Sequence, residues 1–133
     1  MRKGGDEDSG LDLGDGGGDA SARLAAGLSD AAVTTLTNAI KLSAFDADLY
    51  KDRATAYLAL GQWSEAETDL DEALSIEPAN GEAHGLRASA RMGLEAYAAA
   101  LDDVSAARAV DPENVDLLVL RGDIREAQRL AEE

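Results

Sequence analysis

The residues able to do chemistry are few, and their spacing argues against most reactions. Asp6, Asp8 and Asp12 are spaced like oxygen ligands of a calcium loop, but Leu11 occupies the place where such a loop needs glycine for its sharp turn. The Gly–Asp run at 14–19 has no repeated nonapeptide behind it. There is no cysteine, so thiolate nucleophiles, disulfides and thiolate zinc sites are excluded. The single histidine, His84, has no serine placed to form a nucleophilic pair with it and reads as a packing residue at a helix seam. The glycines at 14–18 precede no strand and lack the lysine of a phosphate loop. These residues assemble no catalytic, metal or cofactor site, and the chain is expected to be no enzyme.

More regular are the charged pairs. Arg53 and Asp69 stand eight residues before and after Gly61, and Arg87 and Asp103 repeat that arrangement 34 residues later. Two antiparallel helices joined by a tight turn face each other symmetrically about it. Each arginine is therefore expected to bridge to its aspartate, which would fix helix register more than it adds stability.

The elements that would hold these pairs repeat as a unit. Residues 47–80 lie on 81–114 without a gap, with identities that include Ala54/Ala88, Ala66/Ala100, Ala73/Ala107, Pro78/Pro112 and Asn80/Asn114. Alanine and leucine dominate, and both favour helix. Helices are expected at 20–28, 30–43, 47–60, 64–76, 81–93, 97–110 and 115–131. Asp46, Asn80 and Asn114 share a repeat position that suits an N-cap. Ser64 with Glu67 reads as a capping box. Gly27 falls near the end of a short first helix, and Gly61 and Gly93 suit helix ends, where a left-handed residue is easiest to place. The small residues let paired helices approach closely, while Leu60, Leu70, Leu74 and Ile76 fill the space between pairs.

A 34-residue helix–turn–helix period with small residues at the helix contacts and a proline near its end resembles the tetratricopeptide repeat (TPR) family. The resemblance covers residues 30–133. It implies an all-α solenoid of antiparallel helix pairs: a partial repeat at 20–46, repeats at 47–80 and 81–114, and a final helix at 115–131. It also implies that the first helix of each repeat lines a concave groove where ligands lie. The groove set is then Asp48, Lys51, Asp52, Thr55 and Leu58, followed by Glu82, Leu86, Ser89 and Met92, and by Asp116, Val119, Leu120 and Asp123. Some members grip a partner's C-terminal carboxylate with Lys, Asn, Asn, Lys and Arg. Those positions hold Lys51, Thr55, Leu86, Asp116 and Leu120 here, so only the first lysine survives.

The charge balance narrows the partner. The 133 residues carry a formal net charge of −15, which repels nucleic acid and anionic membranes. No apolar run is long enough to cross a bilayer. Residues 1–19 hold seven glycines and six acids and read as a disordered tail, because they have too little apolar surface to offset ordering entropy. The start, Met1-Arg2-Lys3 followed by glycine and acids, lacks the apolar middle of a signal peptide. The expected compartment is the cytoplasm, or the periplasm if a leader has been removed. The expected role is that of a bacterial-type adaptor holding an extended or helical, basic and apolar segment of another protein. The alternative is a structural module that self-associates through the open face of its last helix, where Leu118, Arg121 and Gly122 await a covering helix.

Overall fold

The computed structural model describes residues 16–133, with side chains from residue 23 onward. It has six helices: α1 Gly16–Leu42, α2 Ala47–Ala59, α3 Trp63–Ile76, α4 Gly81–Gly93, α5 Tyr97–Val110 and α6 Val115–Ala131. Among the described residues there is no strand. Each helix packs against the next in the chain, and α2 also touches α4, as α4 touches α6. The first helices of successive repeats thus stand side by side, as a solenoid requires.

Five helices follow the sequence reading closely and the first does not. Residues 20–43 form no helix pair broken at Gly27; residues 20–42 belong to one helix of 27 residues. Glycine inside a helix costs about 1 kcal/mol relative to alanine. Breaking the helix there would expose two further sets of unpaired backbone groups. Leu24, Ala25, Ala26 and Leu28 favour helix, so continuation wins. Residues 16–19, expected in the tail, open this helix. The rest of the expected tail, with Asp6, Asp8 and Asp12, lies outside the described residues.

The alanine seams close as their spacing demands. Ala54, Ala66, Ala73, Ala83, Ala88, Ala90 and Ala100 are all fully buried. Around them, Tyr50, Leu70 and Leu74 join α2, α3 and α4 into one core, while Val104, Leu117 and Ile124 join α4, α5 and α6 into a second. A larger side chain at these alanines would force the helices apart, at a cost of about 1–3 kcal/mol.

The helix starts carry the expected caps. Asp46 accepts from the Asp48 N–H at 3.0 Å, Asn80 from Ala83 at 3.0 Å and Asn114 from Asp116 at 2.9 Å. The capping box at Ser64 does not form. Helix α3 starts one residue earlier, at Trp63, after Gln62, and the Glu67 carboxylate is drawn off to Arg91 at 2.8 Å. The turn between paired helices uses a left-handed residue in both repeats: Gly61 at φ +72° and Glu95, its equivalent one repeat on, at φ +63°. Gly93 therefore does not supply the left-handed residue of its turn. It is the last residue of α4 and lies under the Trp63 indole, which leaves no room for a Cβ.

Candidate functional site

The charged pairs form the seams between helices. The Arg53 guanidinium donates twice to Asp69, Nε to Oδ2 at 2.8 Å and Nη2 to Oδ1 at 2.7 Å. Its remaining arm donates to the Thr37 hydroxyl of α1 at 3.0 Å. Arg87 repeats the fork on Asp103, with Nε to Oδ2 at 3.0 Å and Nη2 to Oδ1 at 2.8 Å. Its Nη1 reaches Asp71 of α3 at 2.8 Å. Both aspartates are buried. The hydrogen bonds they donate to the carboxylates raise the pKa values of both arginines further, against the lowering effect of burial.

Around Asp103 the seam gains two partners that the spacing argument missed. Arg91 Nη1 donates to Asp103 Oδ2 at 2.9 Å, and His84 Nδ1 lies 3.2 Å from Oδ1. The other ring nitrogen of His84 lies 3.2 Å from the Pro78 carbonyl. His84 is thus held inside a helix seam with both nitrogens engaged, and it has no neighbour to activate. These polar groups tie the helices together beneath the surface that the resemblance marks as the groove.

That surface runs along α2, α4 and α6. On α2, Lys51 reaches across to α4, with Nζ 2.7 Å from Glu82 and 3.3 Å from Asp48. Burial acts to lower its pKa, but the hydrogen bonds to Glu82 and Asp48 outweigh this and hold it above 10.5. The one cation of the expected groove is therefore tied to two of its acids. Asp52 and Thr55 are exposed on the same helix, and the Thr55 hydroxyl donates to the Lys51 carbonyl at 3.0 Å. Leu58 leans on the first core and Met92 on the second. Ser89 is half-buried, while Val119 and Asp123 are exposed on α6.

Four of the expected residues meet in one cleft. Glu82 and Leu86 of α4 line it with Asp116 and Leu120 of α6, and its volume is about 370 Å³. The end of α5 closes it with Ala107, Val110 and Asp111, and Leu117 extends the apolar floor. Gly81 and Gly85 also line it. The signal for them was available: Gly85 stands where the neighbouring repeats carry Lys51 and Val119. A missing side chain on the groove face opens room for a ligand's side chain. The cleft is apolar at its floor, with three carboxylates (Glu82, Asp111 and Asp116) among its lining residues. The other expected groove residues lie outside it, along α2 and on the flanks of α4 and α6.

An all-α stack of 34-residue helix pairs with such a cleft between successive first helices defines a helical-repeat binding scaffold. The tetratricopeptide repeat model matches residues 23–90, and the chain belongs to this family. The second TPR domain of human RPAP3, solved in complex with the HSP70 peptide SGPTIEEVD, is 26% identical with a TM-score of 0.71, covering 74% of this chain and 82% of that one. The Arabidopsis OM64 TPR domain is 30% identical with a TM-score of 0.69, covering 80% and 95%. The TPR2B domain of yeast Sti1, in a complex with pHsp70, is 30% identical with a TM-score of 0.64, covering 84% and 94%. No curated protein matches the sequence significantly. Among the described residues, no helix is long and apolar enough to cross a membrane.

Proposed function

We propose that this chain is a non-enzymatic adaptor that holds a basic and apolar segment of a partner protein along α2, α4 and α6. The observation that carries this reading is the cleft between α4 and α6. Its floor of Leu86, Leu117 and Leu120 suits a large apolar side chain, and Glu82, Asp111 and Asp116 beside it suit flanking Lys or Arg. Burial of the apolar anchor supplies lasting affinity, and the field of the carboxylates steers a cationic segment toward it.

The peptide in the RPAP3 complex, SGPTIEEVD, is acidic at its end. The row here offers it little. Lys51 is paired to Glu82 and Asp48, and the other positions of a carboxylate clamp hold Thr55, Leu86, Asp116 and Leu120. Like charges facing one another oppose such a partner. The same scaffold is therefore read as inverted in charge preference. A second reading, self-association through α6, draws on Leu118 and Val119, which are 40% and 62% exposed.

A labelled peptide alternating Lys or Arg with Leu, titrated with the chain beside labelled SGPTIEEVD, tests the proposal. The basic peptide should bind with a Kd of about 1–10 μM and weaken as salt rises. Leu86→Glu should abolish binding. Equal affinity for the two peptides, or binding that survives Leu86→Glu, would overturn the reading.

A further inference from the structure

Along the row of first helices, acid and base alternate until one base is replaced by glycine. The Lys51 ammonium of α2 sits between two carboxylates, 3.3 Å from Asp48 and 2.7 Å from Glu82 of α4. One repeat on, Glu82 takes the place of Asp48 and Asp116 takes the place of Glu82, but Gly85 takes the place of Lys51. Both acids recur and the cation between them does not. The space so opened is the cleft itself, which Glu82, Gly85 and Asp116 all line.

The apolar walls recur with the acids. Ile76, Ala83 and Leu86 stand 34 residues before Val110, Leu117 and Leu120, which line the cleft. Lys51 shows what a space of this kind holds. Its side chain is only 13% exposed, so the four-carbon stem is covered while the charged head meets the acids. Gly85 removes that stem and leaves the equivalent lining to a side chain of another molecule. Glu82 serves both places: its Oε1 accepts from Lys51, and a carboxylate has capacity for a second cation on its other oxygen.

We propose that the cleft is a lysine subsite. A lysine of the partner segment enters over Gly85, lays its stem on Leu86, Leu117 and Leu120, and sets its ammonium between Glu82 and Asp116, as Lys51 sits between Asp48 and Glu82. This assignment rests on the reading of the cleft as the partner's site, and it names the side chain that meets floor and acids together. Arginine fits less well. Its planar fork matches a single carboxylate, as Arg53 on Asp69 and Arg87 on Asp103 show, whereas two separate acids suit a compact ammonium. An uncharged stem would cover the two acids without meeting their charge, which is costly.

The probe is the fluorescein-labelled peptide Leu-Gly-Leu-Lys-Leu-Gly-Leu, titrated with the full chain beside forms with arginine, Nε-acetyl-lysine or norleucine at the centre. The lysine form should bind at least about tenfold tighter than each of the others, since pairing a partly desolvated charge is worth a decade or more. Asp116→Asn should remove the preference for lysine over norleucine. Gly85→Lys supplies stem and ammonium from the chain itself and should abolish binding of the lysine form. A Cβ at Gly85 meets Leu117 Cδ2 at 3.5 Å, an ordinary contact, so the variant should fold. Its melting temperature by circular dichroism should exceed that of Gly85→Met, which has a similar helix propensity and no charge. Equal affinity for the lysine form and the arginine or norleucine form would overturn the lysine assignment and leave the apolar-anchor reading standing. Undiminished binding to Gly85→Lys would also overturn the assignment. Absence of saturable binding by every form up to about 1 mM would overturn both.

Discussion

The two complete repeats share a backbone and differ in what surrounds their buried aspartate. In the first, Tyr50 and Tyr57 flank Arg53. The Tyr50 hydroxyl donates to the Ala44 carbonyl at 2.9 Å, and the Tyr57 ring lies 5.8 Å from the guanidinium. In the second, the same positions hold His84 and Arg91, and both turn to Asp103. Aromatic bulk in one repeat is replaced by added positive charge in the other. A repeat scaffold can therefore keep its geometry while its buried aspartate goes from one arginine partner, Arg53, to three basic partners, Arg87, Arg91 and His84. The consequence is a difference in how much each repeat depends on a single carboxylate.

The largest test of that difference removes the carboxylates. Asp103→Ala leaves Arg87, Arg91 and His84 facing an emptied site and should cost about 4 kcal/mol, against about 3 kcal/mol for Asp69→Ala. Chemical denaturation of both variants measures this. Equal losses would mean that His84 and Arg91 contribute only contact and no coupling.

A smaller effect separates the turns. Gly61 adopts its left-handed conformation freely, whereas Glu95 is forced into it. Glu95→Gly should raise stability by about 1 kcal/mol, and Gly61→Ala should lower it by about the same. A shift of both midpoints in the same direction would show that the two turns are not equivalent.

The smallest effect concerns the link between the repeats. The pair of Lys51 and Glu82 joins α2 to α4, but Glu82 is largely exposed, so its contribution is at most about 1 kcal/mol. The folded-state pKa of Lys51 is raised, so the bridge contributes fully below its ordinary value of 10.5 and is lost as pH rises through the folded value. Stability measured from pH 9 to pH 12 should fall less in Lys51→Met than in the parent chain.

Much of this was legible in the sequence because the period is strict. Once 47–80 lies on 81–114, the arginine–aspartate forks, the three N-caps and the alanine seams follow from one repeat to the next. What was hidden lies where the repeats diverge. Arg91 stands where the first repeat has Tyr57, so no symmetry argument could assign it to Asp103. Gly93 drew the left-handed assignment away from Glu95 because glycine is the ordinary choice there, while its actual neighbour, Trp63, lies 30 residues earlier. Gly27 suggested a helix end that strong helix formers on both sides override. The cleft was half legible. Glu82, Leu86, Asp116 and Leu120 came from the resemblance to the repeat family, but Gly81 and Gly85 matter through side chains they lack, and Val110 and Asp111 belong to the end of a second helix.

The central claim is that the cleft between α4 and α6 is the peptide site. Amide chemical-shift mapping on the isotope-labelled chain during titration with the Lys/Leu peptide tests it most directly. The account predicts the largest shifts at Gly81, Gly85, Leu86, Asp116 and Leu120, saturating together. Shifts confined to the outward faces of α3 and α5, with those five amides unmoved, would contradict it.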